Sequence, residues 1–331
     1  MSIAMAPGRG LRAILRHPGD ALPRAAIGTV PILWNNVDLA ELRRGTDALT
    51  ILDEIARTGY EGTQLGLGFP EGAALQAALA ERDLRLAEVY ASLPAPADGP
   101  TPDALELALG RLRLLHEARG EVLCVALDLS PDRAARAARA AEPGTTVLTD
   151  AGWGRLVDAL HALSDAAAAL GHPTVFHPHA GTFVETPAEL DRLVAATDPA
   201  RIGICLDVGH LLVGGGDPVD ALQRLGDRVR HVHLKDVDGD VLRRLRAGEL
   251  DGFGAAIRDR LFTELGSGLL DLDGVIATLA DRDYDGWLMV EQDSCWGPPS
   301  ESAAIGRRVL AAALRRAGAA ASRPARAAAA R

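Results

Sequence analysis

Short apolar segments alternate with longer amphipathic segments along almost the whole chain. The short segments are rich in β-branched residues, whereas the longer ones place apolar residues at helical spacing. This pattern predicts eight strands, at 26–33, 62–65, 84–90, 121–127, 174–177, 202–207, 229–234 and 286–291. It also predicts helices at 48–57, 72–81, 103–118, 151–170, 187–196, 218–225, 272–281 and 302–316. At the start of the fifth helix, Thr186 and Glu189 have the spacing of a capping box.

Eight strand–helix units favour a closed barrel over an open sheet. A doubly wound sheet with a dinucleotide site would need a glycine-rich first turn, but residues 33–36 read Leu-Trp-Asn-Asn. The sequence therefore predicts an α/β fold, a single TIM-type (β/α)8 barrel domain over 24–316, after an N-terminal extension at 1–23. Residues 317–331, rich in Ala and Arg, are expected to form a disordered tail. The long polar segment 237–268, with helix-like stretches such as 241–245, predicts a lid-like insertion.

Composition and charge narrow the choice of partners. The 331 residues carry a net charge of −10, which disfavours a nucleic-acid partner because phosphates require a basic surface. We expect no membrane partner, because no apolar run reaches the length of a membrane-spanning helix, and residues 1–23 lack the pattern of a secretory signal. The three cysteines have no paired spacing, so a reducing, cytoplasmic location is expected. A homo-oligomer remains open.

Lysine usage adds a sharper signal. Of the 35 basic side chains, Lys235 is the only lysine, and all the others are arginines. A position that keeps lysine in such a background suggests a compact ammonium group that approaches a ligand as a point charge. The alternative is the chance survival of a single lysine.

Ionisable side chains gather where the predicted strands end, which is the edge that carries the active sites of TIM barrels. Strand parity selects among them, because residues two apart point to the same face. His231, His233 and Lys235 therefore project together, whereas Val232 and Leu234 take the other face. The same parity aligns further groups with the barrel mouth: His177, His179, Asp207, Glu291 and Asp293.

Imidazole and carboxylate groups together form a ligand set for Mn²⁺, Co²⁺, Zn²⁺ or Mg²⁺, and mixed N and O donors lean toward the transition metals. Taken singly, each residue has an ordinary alternative, such as a core histidine or a helix cap at Asp207. Burying several of them at one end of a core is costly unless a metal or ligand pairs them. The sequence therefore predicts a divalent-metal site.

Four motifs, one per strand, resemble the xylose isomerase-like sugar isomerase and epimerase superfamily, and within it the inosose dehydratase branch acting on 2-keto-myo-inositol. They read HPHAGTFVE at 177–185, CLDVGH at 205–210, HVHLKD at 231–236 and WLMVEQD at 287–293. Two more segments are similar, GYEGTQLGLGFP at 59–70 and LGSGLLD at 265–271. The resemblance covers about residues 27–316.

The resemblance implies that Asp207, His233 and Glu291 bind the metal and that His210 contacts substrate. The fourth ligand in this family is usually a glutamate at the end of the fifth strand, where this chain has His177. Either His177 or His179 replaces it, or Glu185 folds back to the metal. We favour Glu185, because it restores a shell of three carboxylates and one imidazole.

The activity implied by the resemblance is removal of a proton beside a carbonyl on a small polyol, with dehydration of 2-keto-myo-inositol favoured, as in inositol catabolism. Glu185 or Glu291 is expected to act as base, and His177, His179 or His210 as the acid for the leaving hydroxyl. Lys235 would hold an oxyanion. Trp34 and Tyr90 could pack against the substrate ring or belong to the core. Gln64, counted with the substrate-binding residues, stands where many relatives of that branch have glutamate.

Three alternatives remain. The first is a metal-dependent ketose 3-epimerase or a hydroxypyruvate-type isomerase on the same barrel. The second is a DNA-repair endonuclease of the same fold, which the acidic charge disfavours. The third is a non-catalytic sugar-binding barrel.

Overall fold

Eight parallel strands pair into a closed barrel in the computed structural model, which describes residues 15–329. The strands are β1 (Ala26–Thr29), β2 (Gly62–Gln64), β3 (Arg85–Leu93), β4 (Val122–Leu127), β5 (Thr174–Phe176), β6 (Ile202–Asp207), β7 (Val229–Leu234) and β8 (Trp287–Val290). Each strand pairs with the next along the chain, and β1 closes the barrel against β8. The predicted (β/α)8 barrel is therefore confirmed, with a strand at each of the eight expected places.

Helices connect the strands and cover the barrel. They are α1 (Ala48–Arg57), α2 (Gly72–Ala80), α3 (Ala104–Glu117), α4 (Pro131–Ala135), α5 (Asp150–Ala169), α6 (Pro187–Ala196), α7 (Val208–Val213), α8 (Pro218–Leu225), α9 (Gly239–Arg246), α10 (Gly252–Arg258), α11 (Leu272–Ala280) and α12 (Pro299–Ala329). The capping box at Thr186 is present, with both reciprocal hydrogen bonds to Glu189. No helix within residues 15–329 combines the length and hydrophobicity that crossing a membrane requires.

Some elements differ from the sequence prediction. The first strand ends at Thr29, because Pro31 opens a 3-10 turn over Pro31–Leu33. The short helices α4 and α7 were not predicted. Helix α12 continues to Ala329 and so extends into the segment for which composition predicted disorder. Residues 1–14, most of the predicted N-terminal extension, lie outside the described residues.

Side chains alternate between the barrel interior and the helix layer as strand parity requires. A small interior cluster contains Cys124, Val175, Cys205 and Met289. Val232 and Leu234 belong instead to the large core between the strands and the helices. The same alternation turns the ionisable residues at the strand ends toward the barrel axis.

The insertion at 237–268 is more ordered than a polar loop. It contains α9, α10 and a short antiparallel pair of strands, Asp236–Val237 and Phe262–Thr263. Its apolar residues form their own buried cluster, which includes Val241, Leu245 and Phe253. The insertion is thus a small packed unit beside the barrel mouth.

Candidate active site

Four buried side chains from four neighbouring strands meet at the carboxyl end of the barrel. They are His177, Asp207, His233 and Glu291, and each offers one ligand atom within 4.8 Å of the others. The strand register explains this meeting, because Asp207 pairs with His233 across β6 and β7, and His233 pairs with Met289 across β7 and β8. Side chains from distant parts of the sequence therefore share one small volume, an arrangement able to hold a cation.

The two carboxylate oxygens of Asp207, at the end of β6, make different contacts. Its Oδ1 accepts a hydrogen bond from the backbone N–H of His210 at 2.8 Å, which caps α7. Its Oδ2 is left to face the cluster, 3.5 Å from His177 Nε2 and 3.8 Å from His233 Nδ1. The capping bond fixes the carboxylate orientation, so the second oxygen points where a cation would be held.

Several donor atoms of this cluster are buried without a hydrogen-bond partner. Among the described residues, none makes a hydrogen bond to Asp207 Oδ2, His233 Nδ1 or Glu291 Oε2, although His233 Nδ1 and Glu291 Oε2 lie 2.7 Å apart. Buried polar atoms are nearly always paired, and unpaired ones call for an explanation. Two carboxylates and two imidazoles directed at one point fit a divalent cation with mixed N and O ligands.

Lys235 lies beside the cluster and is 1% exposed. Its Nζ is 2.7 Å from Asp293 Oδ1, 3.0 Å from Glu291 Oε1 and 3.4 Å from Asp207 Oδ2. Burial disfavours the charged amine, yet these carboxylates together raise the pKa of Lys235 well above its usual range. The only lysine in the sequence is therefore a buried ammonium group beside the cluster.

His179 and His210 stack beside the cluster, with ring centroids 3.7 Å apart. Burial lowers the pKa of His179 to about 3, with contributions from His177 and Lys235, so the ring is neutral. Its Nδ1 lies 2.7 Å from the Ala180 carbonyl oxygen, a contact that requires the proton on Nδ1 and leaves Nε2 as an acceptor.

Two aromatic side chains of the insertion pack against His210. Phe253 and Phe262 contact the His210 ring, with centroid separations of 5.9 and 5.2 Å. The carboxylate of Asp236 fastens the far end of the insertion by accepting backbone N–H bonds, from Val237, Gly266, Gly268 and Leu270. Gly268 has no room for a side chain, because a Cβ there would fall 2.3 Å from the Val237 carbonyl oxygen.

A cavity of about 70 Å³ opens onto the cluster. Its lining includes most of the predicted site residues together with apolar groups: Val30, Ile32, Val37, Asp38, Gln64, Tyr90, His177, His179, His233, Lys235, Glu291 and Asp293. Trp34 is not among them. It is fully buried in the main core and donates its indole N–H to Glu54, so its predicted contact with substrate disagrees with the structure.

Glu185 does not join the cluster, so the preference for it as fourth ligand disagrees with this geometry. Its carboxylate turns to the backbone and accepts N–H bonds from Ala138 at 2.8 Å and Gly181 at 2.7 Å. Burial raises the pKa of Glu185 to about 7, against the lowering effect of these N–H groups and of Arg133. These bonds tie Glu185 to the neighbouring loops, and His177 is the fourth side chain of the cluster.

Glu88 was missed by the sequence analysis. It lies on β3 inside the barrel, fully buried, with Oε1 3.0 Å from His233 Nε2 and Oε2 3.1 Å from His231 Nε2. The sequence signal was a single charged residue within the otherwise apolar run LAEVYASL, at 86–93. Alternation counted from the start of β3 places Glu88 on the wrong face, because the pairing of β2 with β3 shifts register just before it.

Comparison with known proteins identifies the family of this barrel. Residues 52–313 match the xylose isomerase-like TIM barrel family. The chain belongs to this family. Among curated relatives of this xylose isomerase-like barrel, an inosose dehydratase from Geobacillus kaustophilus is 36% identical over 269 residues, 81% of this chain and 87% of the relative. An inosose dehydratase from Bacillus licheniformis is 34% identical over 286 residues, 86% of this chain and 94% of the relative.

Among solved structures, a D-allulose 3-epimerase from Methylomonas sp. superposes on this xylose isomerase-like barrel with a TM-score of 0.66. The identity is 18%, over 88% of this chain and 98% of the epimerase, so this likeness concerns the fold alone. Both curated relatives are named as enzymes, and this chain matches 87% and 94% of their lengths. This indicates that this chain is an enzyme as well.

Proposed function

We propose that this protein is a divalent-metal-dependent dehydratase acting on an inosose, with 2-keto-myo-inositol as the preferred substrate. The observation that carries the proposal is the convergence of His177, Asp207, His233 and Glu291 on one volume, with donor atoms that no described residue satisfies. The identity of 31–36% to proteins named inosose dehydratase supports the choice of substrate class. Mn²⁺ and Co²⁺ suit the two nitrogen and two oxygen donors best.

These four residues would hold the metal, which when bound supplies a Lewis acid that polarises a ketone of the substrate. Lys235 Nζ, already close to the cluster, would donate a hydrogen bond to the oxygen that gains negative charge as the neighbouring proton leaves. His179 Nε2 would accept a hydrogen bond from a substrate hydroxyl, because its proton is on Nδ1. Gln64 and Tyr90 line the same cavity and would bound the ring.

Proton movement is assigned to Glu291. Its carboxylate lines the cavity and would take the α-proton, so that the C–H electron pair forms the new C=C bond. Glu291 would then return that proton to the β-hydroxyl as its C–O bond breaks, releasing water. Delivery of a proton to the opposite face of the carbon by a second acidic group would instead give epimerisation, the second candidate function.

The test compares two aspartates that both cap helices. Asp207 caps α7 and faces the cluster, whereas Asp217 caps α8 on the exposed surface. Asp207→Ala should abolish both metal binding, measured by isothermal titration with Mn²⁺, and water loss from 2-keto-myo-inositol, measured by NMR. Asp217→Ala should lose only about 1 kcal/mol of stability. Full activity of Asp207→Ala, or full wild-type activity after removal of all metal by a chelator, would contradict the proposal.

The substrate assignment is tested separately. Wild-type protein with Mn²⁺ is incubated with 2-keto-myo-inositol and, in parallel, with ketohexoses. Loss of water from the first supports the dehydratase, whereas formation of a C3 epimer from a ketohexose, without dehydration, would favour the epimerase.

A further inference from the structure

The glutamate inside the barrel has no part in the chemistry proposed above. Glu88 is 0% exposed and lies below the cluster, where both of its oxygens contact histidine nitrogens of β7. A buried carboxylate costs several kcal/mol unless other groups compensate its charge. No arginine or lysine among the described residues pairs with it, and an apolar side chain would fill a barrel interior at lower cost. Its presence there therefore calls for a reason.

The two nitrogens of His233 face opposite ways. Nε2 makes a hydrogen bond to Glu88 Oε2 at 3.2 Å and lies 3.0 Å from Oε1, whereas Nδ1 faces Glu291 Oε2 at 2.7 Å and Asp207 Oδ2 at 3.8 Å. A neutral imidazole carries one proton, and an ionised carboxylate can only accept a hydrogen bond. Both nitrogens of His233 therefore face carboxylates, and when a cation is bound at Nδ1 the single proton of the neutral ring is on Nε2, where Glu88 accepts it.

We propose that Glu88 is a positioning residue that fixes the tautomer and ring orientation of His233, so that Nδ1 is presented to the metal. The proposal rests on the metal site of the proposed function. A histidine ligand that donates its other N–H to a carboxylate is held in the binding orientation and becomes a more basic ligand. Oε2 of Glu88 also lies 3.1 Å from His231 Nε2, so the carboxylate is enclosed between two histidines of β7.

Three variants separate positioning from packing. Glu88→Ala removes the acceptor, whereas Glu88→Gln keeps the size and one acceptor oxygen. Val89→Ala is the matched control, because Val89 is the next residue of β3, equally buried, and faces the helix layer instead of the site. Affinities for Mn²⁺ and Co²⁺ are measured by isothermal titration of the full chain, with the visible absorption of bound Co²⁺ as a second readout and thermal unfolding as the check on folding.

We expect Glu88→Ala to weaken metal affinity by about 10- to 100-fold and to change the Co²⁺ spectrum. Glu88→Gln should recover part of the affinity, and Val89→Ala should bind as wild type does. Wild-type affinity in Glu88→Ala, or equal weakening in Val89→Ala, would overturn the positioning role while leaving the metal site intact. Failure of the wild-type protein to bind either cation would overturn the proposed function, and this proposal with it.

Discussion

Glu185 provides a test that does not depend on activity. Its carboxylate is 2% exposed and interacts with the backbone N–H groups of Ala138 and Gly181. Burial raises the pKa of this carboxyl from the reference value of 4.5 to about 7, and the neighbouring charge of Glu189 adds to the rise. The folded protein therefore binds a proton at Glu185 that the unfolded chain has already lost near neutral pH.

The sign of the effect follows from this difference. Because the folded state has the higher pKa, the stability that protonated Glu185 contributes is complete below the unfolded pKa and is lost as pH rises through about 7. A tenfold difference in proton affinity between the folded and unfolded states corresponds to about 1.4 kcal/mol, so the loss between pH 5 and pH 8 should be about 2–3 kcal/mol.

Urea unfolding of wild type and Glu185→Gln at pH 5, 6, 7 and 8, all with chelator present, measures this contribution. The difference between the two proteins cancels the other titrating groups, so the variant should gain about 2–3 kcal/mol relative to wild type from pH 5 to pH 8. Glu106→Gln removes a carboxyl from the exposed face of α3 and controls for the loss of one acid. A pH-independent difference between wild type and Glu185→Gln, or a relative gain toward acidic pH, would refute the reasoning.

Further predictions concern the groups around the site. Arg133 is 0% exposed and binds both oxygens of Glu189 at 2.7 and 2.9 Å, so Arg133→Met should cost about 3–5 kcal/mol in urea unfolding by leaving Glu189 without its partner. A loss below about 1 kcal/mol, the usual worth of an exposed ion pair, would contradict this view of the pair. Asp236→Ala should leave four backbone N–H groups without their acceptor and speed amide hydrogen exchange at 264–270, whereas unchanged exchange there would show that the insertion is held by other contacts. Lys235→Met should lower kcat for dehydration by about 10²–10³-fold with metal still bound, and near-normal kcat would remove Lys235 from the chemistry.

The fold followed from the sequence because two periodicities were clear. Strand and helix patterns alternate without interruption over most of the chain, and the predicted strands lie within a few residues of the observed ones. The alternation of side chains along each strand then predicted that Asp207, His233 and Glu291 face the barrel axis. These inferences needed only local geometry and the rule that parallel strands end at one edge of a barrel.

The features that could not be predicted depend on contacts between distant segments. Glu185 lies close enough to the end of the fifth strand for its side chain to reach the cluster. Its actual orientation depends on hydrogen bonds from the N–H groups of Ala138 and Gly181, which the sequence does not reveal. Glutamate is usually a surface residue, so its residue type gave no sign that Glu88 is buried. Its surroundings depend on His231 and His233, on a strand about 145 residues away. The buried cluster that α9 and α10 share likewise depends on contacts that no local pattern shows.

The solitary lysine also makes the protein unusually simple to observe. Because Lys235 is the only lysine in the sequence, growth with ¹⁵N-lysine labels a single side-chain nitrogen, 2.7 Å from Asp293 and next to the proposed metal ligands. One resonance would then report the arrival of cation and substrate without further assignment. In the folded protein, amine-directed reagents would react only at the chain terminus, because Lys235 is buried. The rate at which they modify Lys235 would therefore measure how often the barrel interior opens.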